Sequence, residues 1–431
     1  VACSVTRPLP NRQVKALDQL IIDSPIFSKS FTGFVLYDPA SKSTLYSQHA
    51  DKYFTPASNT KIFTLYTATQ YLSDSLPVLN YKLIGDSLYF WGTGNPAFLH
   101  HYLPQDGRVF TFLQQHRGPL FYSDHNFKDE HFGSGWAWDD YTYAFQAEKS
   151  SFPIYGNVVQ FHRDSLMDSN QIQVTPPLFK KALHANASLY DESPSFLRQT
   201  SRNTFEHNKK ALTEAAYNIN KPFITNSQLI CQLLSDTLKQ RIQLAQQPAE
   251  TFDNNASLQV PFPDTLYQLL MKDSDNFVAE QLILMCADRQ VGFIQTDTLI
   301  RKAKQELFAG APDELLWYDG SGLTRYNMFT PRTVIFVLDK LLAENEAKWL
   351  HSIFPGGGQA GTISEWYGDN GEPFIYAKTG TLRNKHCLSG YIVTDSGKTL
   401  IFSFMHNNFP TGSAPLKAEM EKVLLWIKQA L

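Results

Sequence analysis

Residues 54–72, FTPASNTKIFTLYTATQYL, decide how this chain is read. Pro56 stands just before a run in which Ile62, Leu65, Tyr66, Thr69 and Leu72 fall on one helical face, so a helix is predicted to start near Ser58. Ser58 and Lys61 are three residues apart and therefore neighbours on that helix. A serine hydroxyl is a poor nucleophile until a base takes its proton, and a lysine serves as that base only when neutral. Burial or a second nearby cation lowers a lysine's pKa, because both disfavour the charged form. A helix start adds free N–H groups where an oxyanion would form. Alone the pattern is weak, since about one Ser-x-x-Lys is expected by chance in a chain this long.

Two further triplets raise its weight. Ser274-Asp275-Asn276 opens the apolar run Phe277, Val278, Leu282, Met285, and Lys378-Thr379-Gly380 lies at the end of the alternating stretch PFIYAKTGTL. Each triplet is expected by chance only about 0.1 times in such a chain. Together they supply what acyl transfer from a peptide needs. Ser274 is placed to relay a proton between a lysine and the leaving nitrogen, and Asn276 offers an amide to the substrate backbone. Lys378, Thr379 and Thr381 are suited to a terminal carboxylate. Gly380 is expected to let a substrate lie against the strand without a Cβ in the way. The backbone N–H groups of Ser58 and Thr381 are the expected oxyanion donors.

The chain ends predict the architecture around these motifs. NRQVKALDQLIID (11–23) and PLKAEMEKVLLWIKQAL (415–431) read as amphipathic helices. FTGFVLYDP and STLYSQHA read as a hairpin; PFIYAKTGTL, CLSGYIVTD and KTLIFSFMHN read as three more strands. A single antiparallel sheet closed by both termini follows. Ser58 and Ser274 are 216 positions apart, and the intervening chain is rich in short aromatic runs, LYFWGTG, RVFTFL, PLFYSD and NVVQFHR, read as strands. The expected fold is α+β, with a large, mostly β insertion. The expected divisions are a discontinuous core (1–78 and 269–431), an inserted domain (79–162 and 251–268) and a further one (163–250).

Composition bounds the function. The 431 residues carry 38 Lys plus Arg against 41 Asp plus Glu, a net charge of −3, which argues against a nucleic-acid partner. The four cysteines, Cys3, Cys231, Cys286 and Cys387, show no metal-ligand spacing, and no metal or cofactor is expected. Cys286 reads as a small buried hydrophobe. The opening Val1-Ala2-Cys3-Ser4 resembles the end of a bacterial lipoprotein signal, in which Cys3 would be lipidated and attach the chain to a membrane.

The three motifs form the signature of penicillin-recognising serine enzymes. From about Gly33 to Phe409 the chain resembles the penicillin-binding protein 4 type D-alanyl-D-alanine carboxypeptidases and endopeptidases. FTPASNTKIFT, GDSLYFWGTGNPAFL, WYDGSGLTRYNMFTPRTV and AKTGTLRNKHCLSGYIVTDSGKTLIFSFMHNN carry the likeness. The resemblance implies a transpeptidase- and β-lactamase-like core, Ser58 as nucleophile with Lys61, and Ser274, Asn276 and Lys378 as its catalytic partners. It also implies peptidoglycan stem peptides and cross-links as substrates, acylation by β-lactams, and a periplasmic or envelope location. HFGSGWAWDDYTYAFQAEKSS resembles the family region whose acidic residue contacts a diamino-acid ammonium; by position that is Asp140, with Trp136 and Trp138 nearby. An aromatic turn with solvated carboxylates is the plainer reading of that segment. Asp319-Gly320-Ser321-Gly322 reads as a turn that shapes the pocket. The alternatives are a β-lactamase, D-aminopeptidase or esterase of the same fold, and a non-catalytic peptidoglycan-binding protein.

Overall fold

A computed structural model describes residues 9–165, 171–247, 249–253, 255–368 and 373–431. The chain divides into two compact units. The first holds the residues up to Gln70, Pro263–Ala279 and Ile300–Leu431; the second holds Tyr71–Phe262 and Glu280–Leu299.

The first unit is built on the expected sheet. Its five strands run in the order Ile375–Leu382, Lys385–Val393, Thr399–Asn407, Phe31–Asp38, Ser43–Gln48, every neighbour antiparallel. The strands from opposite ends of the chain meet in the register Phe34 to Phe404 and Leu36 to Phe402. The terminal helices Asn11–Ile21 and Ala414–Ala430 cover one sheet face, and the Gln13 amide donates to Ala430 O at 2.9 Å. Leu17, Ile21, Leu416, Met420, Val423, Leu424 and Ile427 meet Phe34, Leu36, Phe402 and Phe404 there in one buried cluster. Fully burying each such side chain contributes about 1.5–3 kcal/mol, so the helical periodicity at both ends is what closes the sheet. The helix Pro331–Glu344 also packs on the sheet, and Leu338 O accepts a 3.0 Å bond from the Tyr391 hydroxyl.

The second unit has a mixed five-stranded sheet and two three-stranded sheets. Its domain divisions differ from those expected. Leu79, Phe90, Tyr122 and Phe152 share one buried cluster with Phe161, Phe179, Phe196, Phe205 and Phe223, so residues 163–250 do not separate from 79–162. Residues 263–268 belong to the first unit instead of the insertion, and 280–299 to the second. RVFTFL is helical rather than extended: it opens the helix Arg108–Gln115, with Val109 and Leu113 buried four residues apart. A short aromatic run satisfies both periods, and here Gly107, with φ of 76°, starts a helix.

Candidate active site

The segment read first forms a short 3₁₀ turn, Ala57–Asn59, that leads into the helix Thr60–Tyr71. The helix is not amphipathic as the one-faced pattern suggests. Lys61, Ile62, Phe63, Leu65 and Ala68 are all fully buried, which places the helix inside the unit and removes the Lys61 ammonium from bulk water. Lys61 Nζ lies 3.0 Å from Ser58 Oγ, 2.6 Å from Asn276 Oδ1 and 2.8 Å from Ser321 O. The expected nucleophile, its base and one member of the second motif are thus joined at a single nitrogen.

The turn is held from two sides. Ala57 has a left-handed φ of 49°, a conformation that costs a non-glycine residue energy and tends to mark functional sites. Gly322 allows it: a Cβ on Gly322 would sit 1.9 Å from Ala57 O. On the other side the Asn59 amide donates to Lys378 O at 2.8 Å.

The second motif is also strained. Ser274 has φ of 57°, and Asp275 begins the helix Asn276–Val291 by accepting from Val278 N at 2.8 Å. Lys378 Nζ reaches Ser274 Oγ and Thr379 O, each at 2.9 Å. Lys378 is fully buried, and desolvation, followed by the nearby Lys61, holds its pKa well below the ordinary lysine value. A lysine with a lowered pKa can give up and regain a proton beside Ser274, whereas one that stays charged cannot accept it.

Gly380 is required for a reason other than room for a substrate. A Cβ there would lie 2.3 Å from Pro56 O and 2.9 Å from the Ser58 nitrogen. The strand Ile375–Leu382 therefore packs directly on the Ala57–Asn59 turn, and the glycine makes that approach feasible. Beyond it, the Thr379 hydroxyl donates to Thr362 Oγ1 at 2.7 Å, and Thr381 Oγ1 lies 2.9 Å from His386 Nδ1. Burial, then Lys417, lowers the His386 pKa to about 3, so this imidazole is neutral near pH 7. A cleft of about 210 Å³ opens here, lined by Ser58, Ser274, Thr362, Thr379, Thr381 and Lys417.

All three motifs thus meet in the first unit. Sequence reasoning missed Thr362, His386 and Lys417, which carry no local pattern. It read the Asp319-Gly320-Ser321-Gly322 turn as pocket-shaping but did not see that Ser321 O faces Lys61. Asp319 accepts from Gly322 N at 2.9 Å, Thr324 N at 2.8 Å and the Asn327 amide at 2.6 Å, which fixes that turn. Trp138 and Asp140 lie in the second unit, in the 3₁₀ helix Trp138–Thr142, with Trp138 79% exposed. Trp136 stands edge-on to Phe132 in the same unit. Cys286 is buried as expected, and Cys3 lies outside the described residues.

A buried Lys beside a serine at a helix start, a second buried Lys on a sheet edge strand and a Ser/Asn pair between them define a serine acyl-transfer site on a penicillin-recognising fold. Residues 13–430 match the D-Ala-D-Ala carboxypeptidase 3 (S13) family, and the chain belongs to that family. It is a serine-type DD-peptidase. The D-alanyl-D-alanine carboxypeptidase DacB of Haemophilus influenzae is 24% identical over 90% of this chain and 88% of its own length. A D-alanyl-D-alanine carboxypeptidase of Actinomadura sp. strain R39 is also 24% identical, over 93% and 81%. The crystal structure of penicillin binding protein 4 from Haemophilus influenzae shares the fold, with a TM-score of 0.75 at 20% identity, covering 98% of this chain and all of that one.

Proposed function

We propose that Ser58 is the nucleophile of a peptidoglycan DD-peptidase and that Lys61 is its base. The observation that carries this is the fully buried Lys61 Nζ 3.0 Å from Ser58 Oγ. Ser58 Oγ attacks the carbonyl between the last two D-alanines of a stem peptide, or of a D-centred cross-link, as its proton passes to Lys61. The oxyanion is held by the N–H groups of Ser58 and Thr381; the close approach of the Gly380 strand to the Ser58 nitrogen supports that pairing. The C–N bond then breaks as Ser274, in contact with Lys378, delivers a proton to the leaving amine. Water adds to the ester, the acid product leaves, and Ser58 regains its proton. Asn276 holds the Lys61 amine and offers its amide to the substrate backbone. Thr379 and Thr381 face the substrate's carboxylate end, and Gly380 keeps their strand against the nucleophile.

A β-lactam presents a strained amide to the same hydroxyl and acylates it. The substrate places the enzyme in the bacterial cell envelope. Among the described residues no helix is long and apolar enough to cross a membrane. Attachment through a lipidated Cys3 is a separate part of the proposal, tested by the mass of the native N-terminal peptide. Asp140, in the first turn of its 3₁₀ helix next to the exposed Trp138, is proposed to select stem peptides bearing a diamino-acid ammonium.

Intact mass after incubation with benzylpenicillin tests the nucleophile. The wild type is expected to gain one penicilloyl group, Ser58→Ala none, and the wild type to release D-alanine from a D-Ala-D-Ala peptide. Rapid turnover of the antibiotic without a lasting adduct would favour a β-lactamase. An adduct that persists on Ser58→Ala would remove Ser58 from its role.

A further inference from the structure

The cleft beside Ser58 has a lining of unusual chemistry. Five of its six lining residues offer a hydroxyl, the sixth is Lys417, and none is a carboxylate. Lys417 comes from the first turn of the C-terminal helix Ala414–Ala430, far in sequence from every motif. A cation there opposes the helix macrodipole, so the helix that carries it does not favour the charge. Its ammonium lies over the Trp366 ring, 5.1 Å from the centroid, and among the described residues it makes no ion pair. The side chain is partly buried, and burial draws its pKa down, with Glu365 acting weakly in the opposite sense. Its field also reaches His386, the partner of the Thr381 hydroxyl.

A cation held by an aromatic ring, in no ion pair among the described residues and facing a row of threonine hydroxyls, is half of an anion site. The other half is on the adjacent strand. Thr379, already tied to Thr362, and Thr381, already tied to His386, present oriented hydroxyls to the same space. Resting on the proposed peptidase reaction, the missing anion has an obvious chemistry: the leaving amine's own α-carbon bears a carboxylate.

We infer that Lys417 is a specificity-determining residue that pairs with the carboxylate on the leaving residue of the substrate, while Thr379 and Thr381 supply its hydrogen bonds. Ser58, Lys61 and Ser274 act on the bond; Lys417 selects peptides whose last residue ends in a free acid. Neutralising that carboxylate removes the partner of Lys417 and leaves the reacting amide untouched.

Steady-state kinetics on two peptides test this, one ending in D-Ala-D-Ala with a free carboxylate and one ending in the D-alanine amide, with wild type, Lys417→Met and Lys417→Arg. In Lys417→Met, kcat/KM on the acid is expected to fall about 10- to 100-fold, chiefly through KM, and on the amide to change less than about twofold. Lys417→Arg is expected to restore most of the preference for the acid. Equal losses on acid and amide in Lys417→Met would mean a structural role and overturn the inference, as would an unchanged preference. Thermal melting of each variant separates misfolding from lost recognition. A wild type inactive on both peptides would instead bring down the peptidase reaction on which this rests, and penicilloylation of Ser58 tells the two failures apart.

Discussion

Both units bury lysines, and they treat them in opposite ways. In the second unit the side chain of Lys149 is 3% exposed and its Nζ sits 2.8 Å from Asp129 Oδ2, with Thr296 Oγ1 at 3.3 Å. The charge is answered by a charge, and the pair ties segments of that unit together. In the first unit Lys378 is equally buried, yet its neighbours are the Ser274 hydroxyl and a carbonyl, and Lys61 stands near enough to push its pKa down. A buried ammonium answered by a carboxylate is structural; one answered by hydroxyls and a second amine is kept ready to lose its proton. The contrast separates scaffold from chemistry without reference to any motif.

Removing one buried lysine from each unit is the harshest way to break the comparison. Lys61→Met is expected to slow benzylpenicillin acylation about 10²- to 10⁴-fold, with a smaller loss of stability, about 1–3 kcal/mol, from the acceptors it leaves without a donor. Lys149→Met leaves Asp129 buried and unpaired, and should cost about 3–5 kcal/mol of stability in urea unfolding, with the acylation rate of the folded protein unchanged. If the two variants lose stability and acylation alike, the distinction fails. A milder disturbance is Gly380→Ala, whose Cβ must displace Pro56 O and the nucleophile turn. About a hundredfold drop in acylation is expected from a shift of this size, measured by stopped-flow, against a modest change in melting temperature.

The smallest effect concerns pH. His386 has a folded-state pKa near 3, and burial holds His406 well below its ordinary value of 6.5. Below pH 6.5 the unfolded chain binds protons at these rings that the native state refuses. Their contribution is therefore full above pH 6.5 and is lost as the pH falls below it, down to about 3 for His386, by about 1.4 kcal/mol per pH unit for each ring while it stays neutral in the fold. Urea unfolding of His406→Gln against wild type between pH 6.5 and 4.5 should show a shallower slope in the variant. Parallel slopes would mean that the ring titrates in the fold.

Much of this was readable beforehand because it depends on local periods. The alternating runs at both ends of the chain carry their own sheet faces, and Met420, Val423, Leu424 and Ile427 had to share one side of a helix. RVFTFL shows the limit: a short aromatic run is compatible with either period, and its neighbours chose the helix. The expected boundary at residue 163 meets a related limit, since Phe161, Phe196 and Phe205 join the cluster of Phe90 and Tyr122 through contacts that no linear pattern records.

By itself the amino-acid sequence determined the reaction class and the order of the three motifs, because Ser-x-x-Lys, Ser-Asp-Asn and Lys-Thr-Gly are each short enough for one turn or one strand to hold. Only the tertiary structure decided what surrounds them. Burial of Lys61 among Ile62, Phe63, Leu65 and Ala68, Gly380 pressed against Pro56, Ser321 O facing the amine and Lys417 in the cleft depend on contacts between residues tens to hundreds of positions apart. Proton affinity and substrate choice depend on desolvation and on distances across such gaps, which spacing along the chain does not encode.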